Sequence, residues 1–74
     1  MIDDYTLEQC TKHQDILQLK ITNLEYAIEQ SEAMIVESQM DDAALMFLRR
    51  KIADSIQDLE VLYLLNKQKQ QGHK

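Results

Sequence analysis

The sequence predicts an all-α protein folded as a two-helix antiparallel hairpin of the coiled-coil kind, and three observations predict it. Its 74 residues include no Pro and a single Gly, so the punctuation that sheets and tight turns need is missing and helix is the default. Apolar residues recur at alternating steps of three and four along two long stretches, which is the period of a helix face. The two halves carry opposite charge: residues 1 to 42 hold ten acids against Lys12 and Lys20, while residues 43 to 74 hold six bases against three acids. Side-by-side packing of the halves brings those charges together.

The first helix is expected at about 6 to 37. Its seam is Leu7, Cys10, Leu17, Ile21, Leu24, Ile28 and Ile35, with Gln14 and Ser31 as polar members. Thr6 and Gln9 have the spacing of a capping box, in which hydroxyl and amide each satisfy a free backbone N–H at a helix start. The segment Glu37-Ser38-Gln39-Met40-Asp41-Asp42 then breaks the apolar pattern. Its Ser and Asp oxygens suit the free N–H groups of a new helix, and the paired aspartates suit the positive end of the helix dipole. A turn at about 38 to 42 and a second helix at about 42 to 68 follow. That helix has Leu45, Leu48, Ile52, Ile56, Leu59, Leu62 and Tyr63 on one face and Lys67 and Lys69 near its end, and residues 69 to 74 form a polar tail. Residues 1 to 74 thus make one helical-hairpin domain. The competing architecture is a continuous parallel coiled coil, but its seam would place Ser38, Asp42 and Arg49 in succession at core positions, where unpaired polar groups are costly.

Composition narrows the function. Met1-Ile2-Asp3-Asp4 lacks the basic and apolar regions of a signal peptide, and no run of about 18 apolar residues occurs, so a cytoplasmic protein is expected. A net charge of −5 argues against a nucleic-acid binder, which needs a basic stripe on the phosphates. Cys10 is the one cysteine and the two histidines, His13 and His73, stand at opposite ends. Neither a disulfide nor a metal site is therefore expected, and no cofactor. A chain this short has a marginal core, so a protein partner is the expected source of added stability.

The apolar residues themselves ask for such a partner. Two packed helices need one stripe each, yet the second helix carries Leu45-Met46-Phe47-Leu48 and Val61-Leu62-Tyr63-Leu64-Leu65, runs that wrap most of the circumference at about 100° per residue. Phe47, Val61, Leu64 and Leu65 are left over from hairpin packing and are the candidate protein interface. The first helix repeats the pattern more weakly with Ile16, Leu19, Tyr26, Ala27 and Met34. Met34, Met40 and Met46 flank the turn, where flexible side chains fill irregular space.

No catalytic constellation is expected. There is no Gly-rich phosphate loop, and no Ser, His and acid fall into a nucleophile pattern. Cys10 and His13 stand three residues apart, but a helical thiol and imidazole without a pocket or an oxyanion site lack what nucleophilic catalysis requires. Arg49-Arg50-Lys51 has Asp54 and Asp58 within two turns as pairing partners, which reads as a solvated, charge-balanced face.

A length near 70, an acidic first helix, a polar turn and a second helix ending in Val61-Leu62-Tyr63-Leu64-Leu65 resemble the small YscE/EscE/SsaE co-chaperones of bacterial type III secretion systems. The likeness spans about residues 7 to 66 and rests on pattern. It implies a helical hairpin that binds a larger tetratricopeptide-like chaperone, the pair keeping the needle subunit monomeric in the cytoplasm, and a homodimer when the chain is alone. The alternatives are a structural coiled-coil adaptor and a sporulation-type aspartyl-phosphate phosphatase. For the latter, Ser55-Ile56-Gln57-Asp58-Leu59-Glu60 departs from the Ser-Gln-x-Leu-Asp order that the signature needs.

Overall fold

The computed structural model describes residues 2 to 71 and is helical nearly throughout. Three helices follow one another: α1 (Asp4–Lys12), α2 (Gln14–Glu37) and α3 (Asp42–Gln71). The all-α expectation holds, and α2 and α3 form the antiparallel hairpin, but the first predicted helix is broken in two.

The break falls on His13, whose backbone is extended at φ −127° and ψ 108°. It costs few hydrogen bonds. The His13 N–H donates to the Gln9 carbonyl at 2.9 Å, and the His13 carbonyl accepts from the Leu17 N–H at 3.1 Å. The bend lies next to a pairing between α2 and α3. The Gln14 side-chain amide donates to Asn66 Oδ1 at 2.9 Å, and extending that pairing antiparallel sets Leu17 beside Leu62, Ile21 beside Leu59, Ile28 beside Ile52 and Ile35 beside Leu45. Run straight, the first helix would carry Ile2 and Leu7 away from the core at Leu17, Ile21, Leu59 and Leu62. Folding back instead buries Cys10 completely and brings Ile2 against the core.

Capping differs from the sequence reading in the same region. Asp3, not Thr6, is the N-cap of α1, its Oδ1 accepting from the Thr6 N–H at 2.7 Å. The predicted capping box is replaced by an aspartate cap one turn earlier, which lets the helix start at Asp4 and carry an acid in its first turn. At the hairpin bend the expectation holds in kind: Asp41 Oδ1 accepts from the Ala44 N–H at 2.8 Å and caps α3, and Asp42 lies in the first turn. A turn here, with α2 packed on α3 beyond it, rules out the continuous coiled coil.

The core is confined to the open end of the hairpin. Cys10, Leu17, Ile21, Leu59 and Leu62 are its buried members, with Ile2, Ile16, Leu24, Ile28 and Leu65 packed against them. Three helices meet there and only two meet toward the turn, where Ile35, Leu45, Leu48 and Ile52 are half-buried. Gln14 and Gln18 both direct their side-chain amides to Asn66 Oδ1, at 2.9 and 3.5 Å, which satisfies the polar layer that closes this end. Part of the predicted polar tail is helical: Lys69 to Gln71 belong to α3, and Lys69 Nζ donates to the Cys10 carbonyl at 3.0 Å. Gly72, His73 and Lys74 lie outside the described residues.

Candidate protein-docking face

Helix α3 has two seams. The inner one, Leu45, Leu48, Ile52, Ser55, Leu59, Leu62, Asn66 and Lys69, keeps strict steps of three and four and is half-buried or buried throughout. The outer one, Ala43, Phe47, Arg50, Asp54, Gln57, Val61, Leu64 and Gln68, keeps the same steps and is exposed throughout. At 100° per residue the two lie about 150° apart, so the outer seam points away from α2.

Three of the four expected interface residues stand on that outer seam. Phe47 is 67% exposed, Leu64 56% and Val61 42%. Leu65 does not join them. It is half-buried and packs against the core cluster, because a third stripe of α3, Asp58, Leu62, Leu65 and Lys69, faces α1. The members around Leu65 locate that stripe: Asp58 and Leu62 line a cleft of ≈ 210 Å³ together with Ile2, Asp3 and Thr6, and Lys69 holds the Cys10 carbonyl. The fold-back of α1 was not foreseen from the sequence, and it covers a residue that a bare hairpin leaves exposed.

One further member was missed. Met46 is 68% exposed and lines an open cleft of ≈ 310 Å³ with Ala43, Phe47 and Arg50. The sequence reading set Met46 and Met34 to filling the bend, yet both are exposed, and only Met40 is half-buried there. The signal that identifies Met46 was its position, one residue before Phe47 and one full stripe removed from Leu45 and Leu48. On α2, Leu19, Tyr26 and Met34 are exposed, whereas Ile16 packs against the core.

Cys10 and His13 do not form a reactive pair in this fold: the thiol is wholly buried and His13 is exposed at the helix break. Among the described residues two titratable groups are shifted. Asp3 is held below the ordinary carboxylate range by the Thr6 hydrogen bonds that make it a cap. Tyr63 is held above the ordinary phenol value because its O–H donates to the Glu25 carboxylate. Both are structural devices, one starting α1 and the other tying α2 to α3 along an exposed edge. Among the described residues no group of three metal-ligating side chains converges, and no helix is long and apolar enough to cross a membrane.

Compared with family models, curated protein sequences and solved structures, the chain matches none of them.

Proposed function

We propose that this chain acts by binding and not by catalysis, as a small helical co-chaperone whose outer α3 face docks on a larger protein. In the form that its resemblance to the type III secretion co-chaperones implies, the larger protein is a tetratricopeptide-like chaperone, and the pair keeps a needle subunit monomeric before export. The observation that carries the reading is the outer seam itself. Phe47, Val61 and Leu64 stay in water on the side of α3 remote from the core, Val61 and Leu64 one turn apart and Phe47 about four turns before them, with Arg50, Asp54 and Gln57 between. Burial of each such side chain stabilises a complex by roughly 1.5 to 3 kcal/mol before the costs of association. A helix that presents exposed apolar residues along one face suits the concave, helix-lined groove of a tetratricopeptide array.

The mechanism is physical. The core here is confined to one end, so the turn half gains order when a partner covers it, and the partner gains a rigid helix presenting fixed side chains. The test is capture from the native host with this chain as bait. Recovery of a tetratricopeptide-like protein together with a small polymerising helical subunit supports the reading. Recovery of this chain alone, as an elongated dimer, favours the structural coiled-coil adaptor instead.

A further inference from the structure

We infer that α1 is a hinged lid: rotation at His13 swings it off α3 as an intact helix and brings it into line with α2, while the α2–α3 hairpin stays folded. The motion belongs to the fold and does not depend on the docking proposal.

The hinge is a single residue. Between Asp4 and Glu37 only His13 is non-helical, and it is neither Pro nor Gly, so its chemistry permits the helical conformation. The break forgoes few bonds, since the ladder continues through the His13 N–H and the His13 carbonyl. Positions at the ends of helices are where hinges absorb their dihedral change. On either side Leu7, Cys10, Gln14 and Leu17 keep the three and four steps of one seam. A straight helix is therefore a second conformation that the same residues encode.

One backbone group has a partner in each state. In the closed form the Cys10 carbonyl accepts from Lys69 Nζ at 3.0 Å. In a straight helix the same carbonyl takes the N–H of Gln14. Exchanging one donor for the other leaves that carbonyl paired throughout.

Burial holds the lid closed. Cys10 is wholly buried and Ile2 packs against the core, and Asp3 and Thr6 line the cleft over Leu62. The hairpin has contacts of its own. Leu17 and Ile21 of α2 cluster with Leu59 and Leu62 of α3, Gln14 and Gln18 reach Asn66, and Tyr63 donates to Glu25. Opening uncovers Leu65 beside the exposed Val61 and Leu64, so α3 then presents one contiguous apolar group that the closed lid divides.

The experiment is thiol labelling of the purified full chain, with Cys10, its single cysteine, as reporter. With α1 in line with α2, Cys10 stands one turn beyond Gln14, which is exposed even in the closed form, so the thiol meets reagent. The rate of reaction with the chromogenic disulfide DTNB is followed against urea, with far-UV circular dichroism on every variant. Wild type is expected to label about tenfold or more faster than its global unfolding equilibrium allows, with a urea dependence less than about half as steep, because lid opening exposes only part of the buried surface. Lys69→Met is expected to speed labelling about fivefold or more. His13→Ala, at an exposed position, is expected to speed it about two- to threefold, since alanine favours the helical state. Leu48→Ala weakens the hairpin away from α1 and is expected to leave the rate within about twofold, whereas a global route requires a rise of about five- to tenfold. Labelling with the urea slope of global unfolding, a rise with Leu48→Ala of the global size, or indifference to both Lys69→Met and His13→Ala would each overturn the lid. Capture of a partner in the host tests the docking proposal separately.

Discussion

If α1 concentrates the stability of this fold at the open end of the hairpin, the same truncation must cost more there than near the turn. Leu62 and Leu48 make the comparison, since both lie on the inner seam of α3 and differ in what surrounds them. Leu62 is 1% exposed where all three helices meet; Leu48 is half-buried where only two do. Leu→Ala in a closed core costs about 2.7 to 5 kcal/mol, the spread following the cavity left behind. The cleft between α1 and Leu62 gives the site room to collapse, which places Leu62→Ala near the lower end, about 3 kcal/mol. Leu48→Ala loses part of a transfer term and leaves no closed cavity, so about 1 to 1.5 kcal/mol is expected. A core of this size supplies roughly 3 to 5 kcal/mol in all, so Leu62→Ala should retain only about 0 to 2 kcal/mol while Leu48→Ala keeps most of its stability. Urea titrations followed at 222 nm, at concentrations low enough to keep the chain monomeric, read both. Equal losses, or a larger loss at Leu48, would refute the idea that the fold-back of α1 builds the core.

Further outcomes follow from single contacts. Asp41→Ala removes the cap of α3 and should cost about 1 kcal/mol in the same titration, with Asp41→Asn keeping most of it. The Asp3 cap has the sign of a lowered carboxylate: its contribution is fully present above the ordinary value of 3.8 and is lost as pH falls through its lower native value. A pH titration of the Thr6 amide shift should therefore have its midpoint below 3.8, and a midpoint at or above that value would contradict the cap. Tyr63 should ionise above the ordinary phenol value of 10.0, the contribution of its bond to Glu25 being present below that pH and lost above the raised value, and Glu25→Gln should bring the absorbance titration down. Lys69→Met should speed amide exchange in α1 while leaving the middle of α3 unchanged, because Lys69 is the contact holding the Cys10 carbonyl.

How far the sequence reveals this fold can be followed along α3. Its inner seam, its Asp41 cap and its surplus apolar residues are all local patterns, and local patterns are what periodicity and capping rules read. The break at His13 is different in kind. Neither Pro nor Gly marks it, and the residues on either side keep a helical seam, so Leu7, Cys10, Gln14 and Leu17 look like one rod. What the bend achieves is tertiary: it folds α1 back onto the α2–α3 core and covers Cys10 and Ile2, and no local pattern around His13 records it. Leu65 reads as an interface residue for the same reason, since a two-helix picture has nothing to cover it, whereas in the fold it packs against the core. Phe47, Val61 and Leu64 were legible as exposed because they lie opposite the inner seam, where no fold-back of α1 reaches.

The docking proposal stands or falls most directly on one comparison: capture of a partner from the native host by wild type, by Leu64→Asp and by Leu19→Asp, with helical content matched by circular dichroism. Leu64 is 56% exposed on the outer seam of α3 and Leu19 is 60% exposed on α2, so both substitutions place the same charge at exposed apolar sites. The outer face predicts that the Leu64 variant loses the partner while the Leu19 variant retains it. Retention by both, or equal loss by both, would contradict a docking surface on the outer face of α3.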